Sequence, residues 1–355
     1  MKDIEKLKKS ALTLLKNLIA TPSFSSEEDK TAILIENWLD LHDIPFKREN
    51  NNIYAFNKYY DESKPNLLLN SHHDTVKPNS GYTKDPFKPQ IEDGKLYGLG
   101  SNDAGGCLVS LLASFVYFYD QPLNNYNLIV AATAEEESSG PNGLNSLLAS
   151  LPKLDVAIVG EPTLMDLAVA EKGLLVFDAK IHGTPSHAAH PNNNNSIYNT
   201  LKAIEWFRDY KFDKISETLG EVKLTVTQIN AGKQHNVVPA TTELVIDCRV
   251  NDKYTNQEIV DIVTKLAPVD EIKPRTLRLG SSSIPVEHPL VQAGIAMGRK
   301  TYGSPTLSDQ AVLYCPSLKL GPGYSLRSHT ADEFIYVNEI EEGISIYIEL
   351  LSKVL

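Results

Sequence analysis

Three runs of this chain are apolar along almost their whole length: Asn66 to Asn70, Asn127 to Thr133 and Val156 to Val159. A strand exposed on one face alternates apolar and polar residues, whereas a strand covered on both faces does not. These runs therefore belong inside a sheet with helices on either side. Helix-like stretches at Cys107 to Tyr117 and Gly143 to Leu148 lie between them, and Asn52 to Phe56 adds a further strand. The expected fold class is α/β, with a mainly parallel central sheet. Ligands of such sheets collect at strand ends. Ahead of the sheet, Ile4, Leu7, Leu12, Leu15, Leu18 and Ile19 predict a helix that stops before Pro22. Ser25 followed by Glu28 has the form of a capping box opening a second helix, whose apolar stripe is Ile33, Leu34, Ile35, Trp38 and Leu39.

From about Gly173 the pattern changes. Alternating strands at Leu174 to Ile181, Val222 to Asn230 and Thr242 to Val250 are interleaved with helices near Ser196 to Phe207 and Asn256 to Ala267. Strand, helix, strand, strand, helix in succession predicts a small α+β unit of ferredoxin-like type, inserted over residues 173–280. The α/β part is then residues 1–172 together with 281–355, ending in a helix from Val337 onward.

A net charge of −11 and no cluster of Lys and Arg argue against nucleic acid as a partner. No apolar stretch approaches the ~18 residues of a membrane span, and the first twenty residues do not resemble a secretory signal. Cys107, Cys248 and Cys315 are too few and too scattered for a disulfide framework or a cysteine-rich metal site. A cytoplasmic protein is expected, and any metal must be held by His and carboxylates.

Such residues stand in five segments. LLLNSHHDTV places His72 and Asp74 just past a buried strand, and a metal-bound histidine usually gives its second ring N–H to a carboxylate. A polar turn is the plainer alternative. Asp103 in LYGLGSNDAGG precedes a helix, where it could equally be an N-cap. Glu135, Glu136 and Glu137 follow a buried strand; three adjacent carboxylates repel, which suggests a counter-cation, against a solvated acidic loop as the alternative. Glu161 follows the next strand, and His329 lies in a loop rich in Gly and Ser ahead of the last helix.

In this order and spacing the five segments resemble the M20 metallopeptidase family, from about Thr21 to the C-terminus. The resemblance implies a zinc-peptidase-like catalytic domain carrying two divalent ions, zinc foremost with cobalt as the alternative. His72, Asp103 and Glu161 would hold one ion, and Asp103, Glu137 and His329 the other. Asp74 would orient His72, Glu136 would be the general base, and His73 would not be a ligand. The inserted unit is, by the same resemblance, a lid and homodimer interface. Its His187, in HGTPSHAAHP, would polarise the scissile carbonyl in a partner's site. Asn236 and Arg249 match positions near the substrate carboxylate, with a structural role as the alternative for Arg249. Two departures stand out: Ala104 follows Asp103 where a lysine is common, and Asn192 to Asn195 occupy a loop that is usually one residue longer and carries glycine.

The activity implied is hydrolysis of an N-acyl amino acid by metal-activated hydroxide. N-acetylornithine, a substrate of arginine biosynthesis, comes first. N-acetylcitrulline, N-succinylornithine and succinyl-diaminopimelate are alternatives, a dipeptidase is another, and a non-catalytic metal-binding scaffold is the alternative of a different class.

Overall fold

The computed structural model describes residues 3–355. They divide into two compact units, residues 3–169 with 283–302 and 308–355, and residues 170–282 with 303–307.

In the first unit the three apolar runs form the strands Asn66–His72, Asn127–Thr133 and Val156–Val159, every residue of which is buried. Across the sheet the order is Lys47–Glu49, Asn52–Phe56, Asn127–Thr133, Asn66–His72, Val156–Val159, Ser317–Lys319 and Leu167–Glu171. The four central strands from Asn127–Thr133 to Ser317–Lys319 run parallel. Those beyond them pair antiparallel, so the sheet is mixed, with its parallel character confined to the middle. For the outermost pair the reason is local: Asn52–Phe56 is joined to Lys47–Glu49 by a tight turn, which only antiparallel strands allow.

The helix Gly106–Phe118 is buried nearly all round, as its uniformly apolar sequence requires, and the helices Ile4–Ile19 and Val337–Ser352 pack against it. Ile4–Ile19 starts at Asp3, whose carboxylate accepts the N–H groups of Glu5 and Lys6. The helix Asp29–Asp40 departs from expectation. Glu28 is its N-cap and no side chain caps it. The Ser25 hydroxyl donates instead to Asp74 Oδ2 at 2.6 Å, and the buried Glu28 carboxylate accepts the N–H groups of Ser26 at 2.5 Å and Glu135 at 3.2 Å. Long-range bonds to Asp74 and to the acidic loop have displaced the local cap.

The second unit is a four-stranded antiparallel sheet in the order Lys223–Ala231, Thr241–Val250, Gly173–His182, Glu271–Pro274. Gly173–His182 and Thr241–Val250 alternate buried with half-buried residues. Their buried face packs with Ala203 and Phe207 of the helix Ser196–Asp209 and with Ile259 and Val263 of the helix Asn256–Leu266. The edge strand Lys223–Ala231 is exposed along most of its length.

Candidate metal centre

Three of the four central parallel strands end beside one another, and each delivers acidic or imidazole groups to the same place. His72 is the last residue of its strand, Glu135 to Glu137 follow Thr133, and Glu161 follows Val159. His72 Nε2 lies 3.4 Å from Asp103 Oδ1, 3.8 Å from Glu161 Oε1 and 3.9 Å from Glu136 Oε2. His329 Nε2 lies 3.6 Å from the other Asp103 oxygen and 3.0 Å from Glu137 Oε2. Asp103 thus stands between two imidazoles with one oxygen toward each. Donor atoms of His72, Asp103 and Glu137 fall within 4.8 Å of one another, as do those of His72, Glu136 and Glu161.

The ring of His72 has a defined polarity. Its Nδ1 meets only acceptors, the Asp74 carbonyl at 3.0 Å and Asp74 Oδ1 at 3.4 Å, so in the neutral ring Nδ1 carries the proton. That leaves a lone pair on Nε2, which is buried, has no hydrogen-bond partner and faces the carboxylates. Asp74 also acts on the neighbouring loop, where its Oδ1 accepts the N–H of Glu136 and its Oδ2 that of Glu137, both at 3.1 Å. One buried carboxylate therefore sets the backbone of the two acids that face the centre.

The three adjacent glutamates part company. Glu135, with φ of 56°, turns back to accept bonds from the Ser26 hydroxyl at 2.9 Å, Asn142 N–H at 2.9 Å and the Asn142 side-chain amide at 3.0 Å. Gly140 makes room for it, since a Cβ there would lie 2.1 Å from Glu135 Oε2. Glu136 and Glu137 point to the centre, which removes the solvated-loop alternative. His73 also turns away, with Nδ1 2.9 Å from the Thr31 hydroxyl and Nε2 2.8 Å from the Asn51 carbonyl. Burial lowers its pKa to about 4. Asp103 does not cap a helix: it lies within the turn Ser101–Gly105 at φ −118°, ψ 98°, and its peptide bond to Ala104 is cis.

The electrostatics are those of a cluster short of positive charge. Burial, with Asp103 adding to it, pushes Glu161 up to about 8. Burial likewise raises Glu136 well above the carboxylate range, helped by Glu161 and opposed by His72. Burial alone would lower His72, yet Asp103 and Asp74 raise it well above its ordinary value. Glu137 lifts His329 to about 9. Carboxylates and imidazoles in this density, with an aimed and unpartnered ring nitrogen, fit a pair of divalent cations of the zinc type.

The remaining candidate residues lie in the second unit. His187 is exposed and pairs with Val237 in a two-stranded ladder, next to Asn236, whose carbonyl accepts the Ala188 N–H at 3.0 Å. His187 Nδ1 accepts the Ala189 N–H at 3.1 Å, so its neutral ring carries the proton on Nε2. Arg249 sits in the strand Thr241–Val250, about 26 Å along it from Thr241 at the usual rise per residue, and its guanidinium binds Asp247 at 2.9 and 3.2 Å. Within one chain Asn236 and Arg249 are not brought together.

Several residues around the centre carry no sequence signal of their own. Ser25 and Glu28 were visible only as a cap motif. Asp309, which burial raises to about 6, accepts the Thr133 hydroxyl at 2.7 Å, three residues before Glu136. Glu333 accepts three backbone N–H groups in the Asp103 turn.

Comparison with known proteins agrees with this arrangement. The sequence profile of peptidase family M20/M25/M40 matches residues 68–353. The chain is 29% identical over 366 residues to the acetylornithine deacetylase of Proteus mirabilis, covering 93% of each. It is 24% identical over 380 residues to the succinyl-diaminopimelate desuccinylase of Rickettsia felis, covering 97% of this chain and 100% of the relative. Its fold matches that of an M20 family metallo-carboxypeptidase from Sulfolobus solfataricus with a TM-score of 0.76 at 17% identity, covering 97% and 99% of the two chains. Among the described residues no helix is long and apolar enough to cross a membrane. The chain belongs to peptidase family M20/M25/M40 and is an enzyme that hydrolyses amides.

Proposed function

We propose that this enzyme is a two-metal deacylase of N-acyl amino acids, with N-acetylornithine as the first candidate substrate. The observation that carries the proposal is Asp103, whose two oxygens face His72 and His329 from the middle of a buried acidic cluster. We assign His72, Asp103 and Glu161 to one cation and Asp103, Glu137 and His329 to the other. Bound divalent ions, zinc or cobalt, would supply the Lewis acidity that polarises an amide carbonyl and acidifies water.

The chain's own residues supply the rest. Asp74 fixes the tautomer of His72 and the backbone of the acid pair. Glu136, made a stronger proton acceptor by its burial, takes the proton of the attacking water and returns it to the departing amine. His187, with its N–H on the exposed Nε2, is suited to donate to the oxyanion in a partner's site.

We assign the inserted unit, drawn from the sequence as residues 173–280, as a lid and homodimer interface. Its exposed edge strand Lys223–Ala231 leaves N–H and C=O groups open to pairing, and Tyr198, Leu201 and Ile229 are exposed in the same unit. Sedimentation of Ile229→Asp should then give a smaller species than the parent; an unchanged size would remove this interface. Asn236 remains a candidate for the substrate carboxylate. For Arg249 the Asp247 pair favours the structural role. The three cysteines are unpaired, which suits the cytoplasm.

Support for an acyl amino acid comes from the two relatives, whose names both denote removal of an acyl group from an amino acid. The deciding experiment is amine release with zinc or cobalt from N-acetylornithine, N-acetylcitrulline, N-succinylornithine, succinyl-diaminopimelate and a set of dipeptides. Preference for N-acetylornithine supports the assignment to arginine biosynthesis. Preference for dipeptides would replace it with a dipeptidase, and metal binding with no release from any of them would end the deacylase proposal.

A further inference from the structure

Glu333 lies four residues beyond His329, is 1% exposed, and is not one of the donors that cluster at the metal centre. Its carboxylate is nonetheless spent on that centre. Oε1 accepts the N–H groups of Asn102 at 2.8 Å and Asp103 at 2.9 Å, and Oε2 accepts that of Gly100 at 3.1 Å. The pairing of Phe334–Tyr336 with Lys95–Tyr97 brings it there, and the Gly98 N–H bonds to the Glu333 carbonyl at 3.0 Å. More than 200 residues of chain separate the two partners, so no local propensity could hold the turn in this way.

The turn needs such a hold. Ser101–Gly105 is neither helix nor strand at Asp103 and Ala104, and around it the N–H groups of Gly100 and Asn102 are buried and that of Asp103 is part-buried. A buried N–H without an acceptor costs about 1–3 kcal/mol. A carboxylate has two oxygens with about four lone-pair positions and can satisfy three donors at once. Glutamine would keep one acceptor oxygen and turn an NH₂ group against one of the N–H groups.

We propose that Glu333 is a positioning residue for Asp103: by gripping the backbone at 100, 102 and 103 it sets the direction in which the Asp103 carboxylate meets both cations. It does so from the loop that also carries His329. The Asn102 side chain makes a second tie to the approach of that loop, accepting the Tyr324 N–H at 3.0 Å and donating to the Tyr324 carbonyl at 3.2 Å. The bridging ligand and one terminal ligand are therefore ordered together. This inference rests on the two-metal reading above.

The test is zinc binding, measured by competition with a chromogenic chelator, on the parent, Glu333→Gln, Glu333→Ala and Asp332→Asn. Asp332 serves as a control in the same loop, since it bonds the Thr83 and Lys84 N–H groups, both at 2.9 Å, and none in the Asp103 turn. Loss of a residue that orients a metal ligand typically weakens metal affinity by about 10–100-fold. We expect about 10-fold for Glu333→Gln and nearer 100-fold for Glu333→Ala, with the circular dichroism of the metal-free proteins unchanged, a lower melting temperature for Glu333→Ala, and Asp332→Asn binding like the parent. If Glu333→Ala does not fold, Glu333→Gln alone decides. Parental affinity in a folded Glu333 variant, or equal weakening in Asp332→Asn, would overturn the positioning role. A parent protein that binds no zinc would instead remove the two-metal reading itself.

Discussion

The two units treat charge in opposite ways. In the first, Asp74, Asp103, Glu136 and Glu161 converge on His72 in a setting that raises or lowers the pKa of every one of them. In the second, most charges sit at the surface as ordinary pairs, such as Arg275 with Asp178 and Lys214 with Glu258, around an apolar core of Leu175, Phe177, Phe207 and Ile259, with Glu171 a buried exception. Exposed pairs of this kind contribute little, so the second unit owes its stability to apolar burial. The first unit gives up some stability to hold unlike chemistry in one place. A fold can carry such a centre because its parallel strands are satisfied by their own ladder, which frees their ends for function.

That contrast can be broken or sharpened by measurement. The largest effect should come from Glu136→Gln, which removes a proton carrier without removing a terminal ligand. Turnover should fall on the order of 10²–10⁴-fold while two equivalents of metal remain bound. An active variant would take Glu136 out of that role.

In the second unit, Phe177→Ala should cost roughly 3–5 kcal/mol in denaturant unfolding, since Phe177 is wholly buried, with zinc affinity unaffected. A loss of metal affinity would mean that the two units do not divide their work as described.

A smaller effect concerns pH. Glu161 at about 8 and His329 at about 9 are both raised above their unfolded values, so between pH 6.5 and 9 the folded metal-free protein holds more protons than the unfolded chain. Its stability must then fall as pH rises through that window. Chelator-treated enzyme should melt lower at pH 9 than at pH 6.5, and added zinc should raise the melting temperature more at the higher pH. A flat profile without metal would mean the acidic cluster is not electrostatically frustrated. The smallest change expected is from Thr255→Ala. It removes a capping box, in which Thr255 accepts the Glu258 N–H at 3.2 Å, and should cost about 1 kcal/mol with no change in turnover.

Much of this architecture was legible in the chain. Asn127–Thr133 and Val156–Val159 were readable as buried strands because an apolar run without alternation has few other uses, and the inserted unit because its pattern switches to alternation near Gly173. The metal-centre residues were legible as a set only through their resemblance to a family, since each motif alone has a plainer explanation. Ser25 shows the opposite case. Its spacing to Glu28 predicts a cap, but the hydroxyl found a buried carboxylate, Asp74, that is remote in sequence, and a charge-assisted bond of that kind outweighs a local one.

By itself the sequence determined where the long buried strands and most long helices lie and which side chains could serve as ligands, because these depend on periodicity and residue chemistry; short strands such as Glu271–Pro274 and Ser317–Lys319 carry too little pattern to be read that way. Only the tertiary structure decided that Glu135 turns away while Glu136 and Glu137 turn inward, that Asp103 faces two imidazoles, and that Glu333 grips the turn holding it. Those outcomes depend on contacts between residues that are dozens to hundreds of positions apart, and nothing in the local pattern encodes the direction of a side chain toward a partner that only folding brings near.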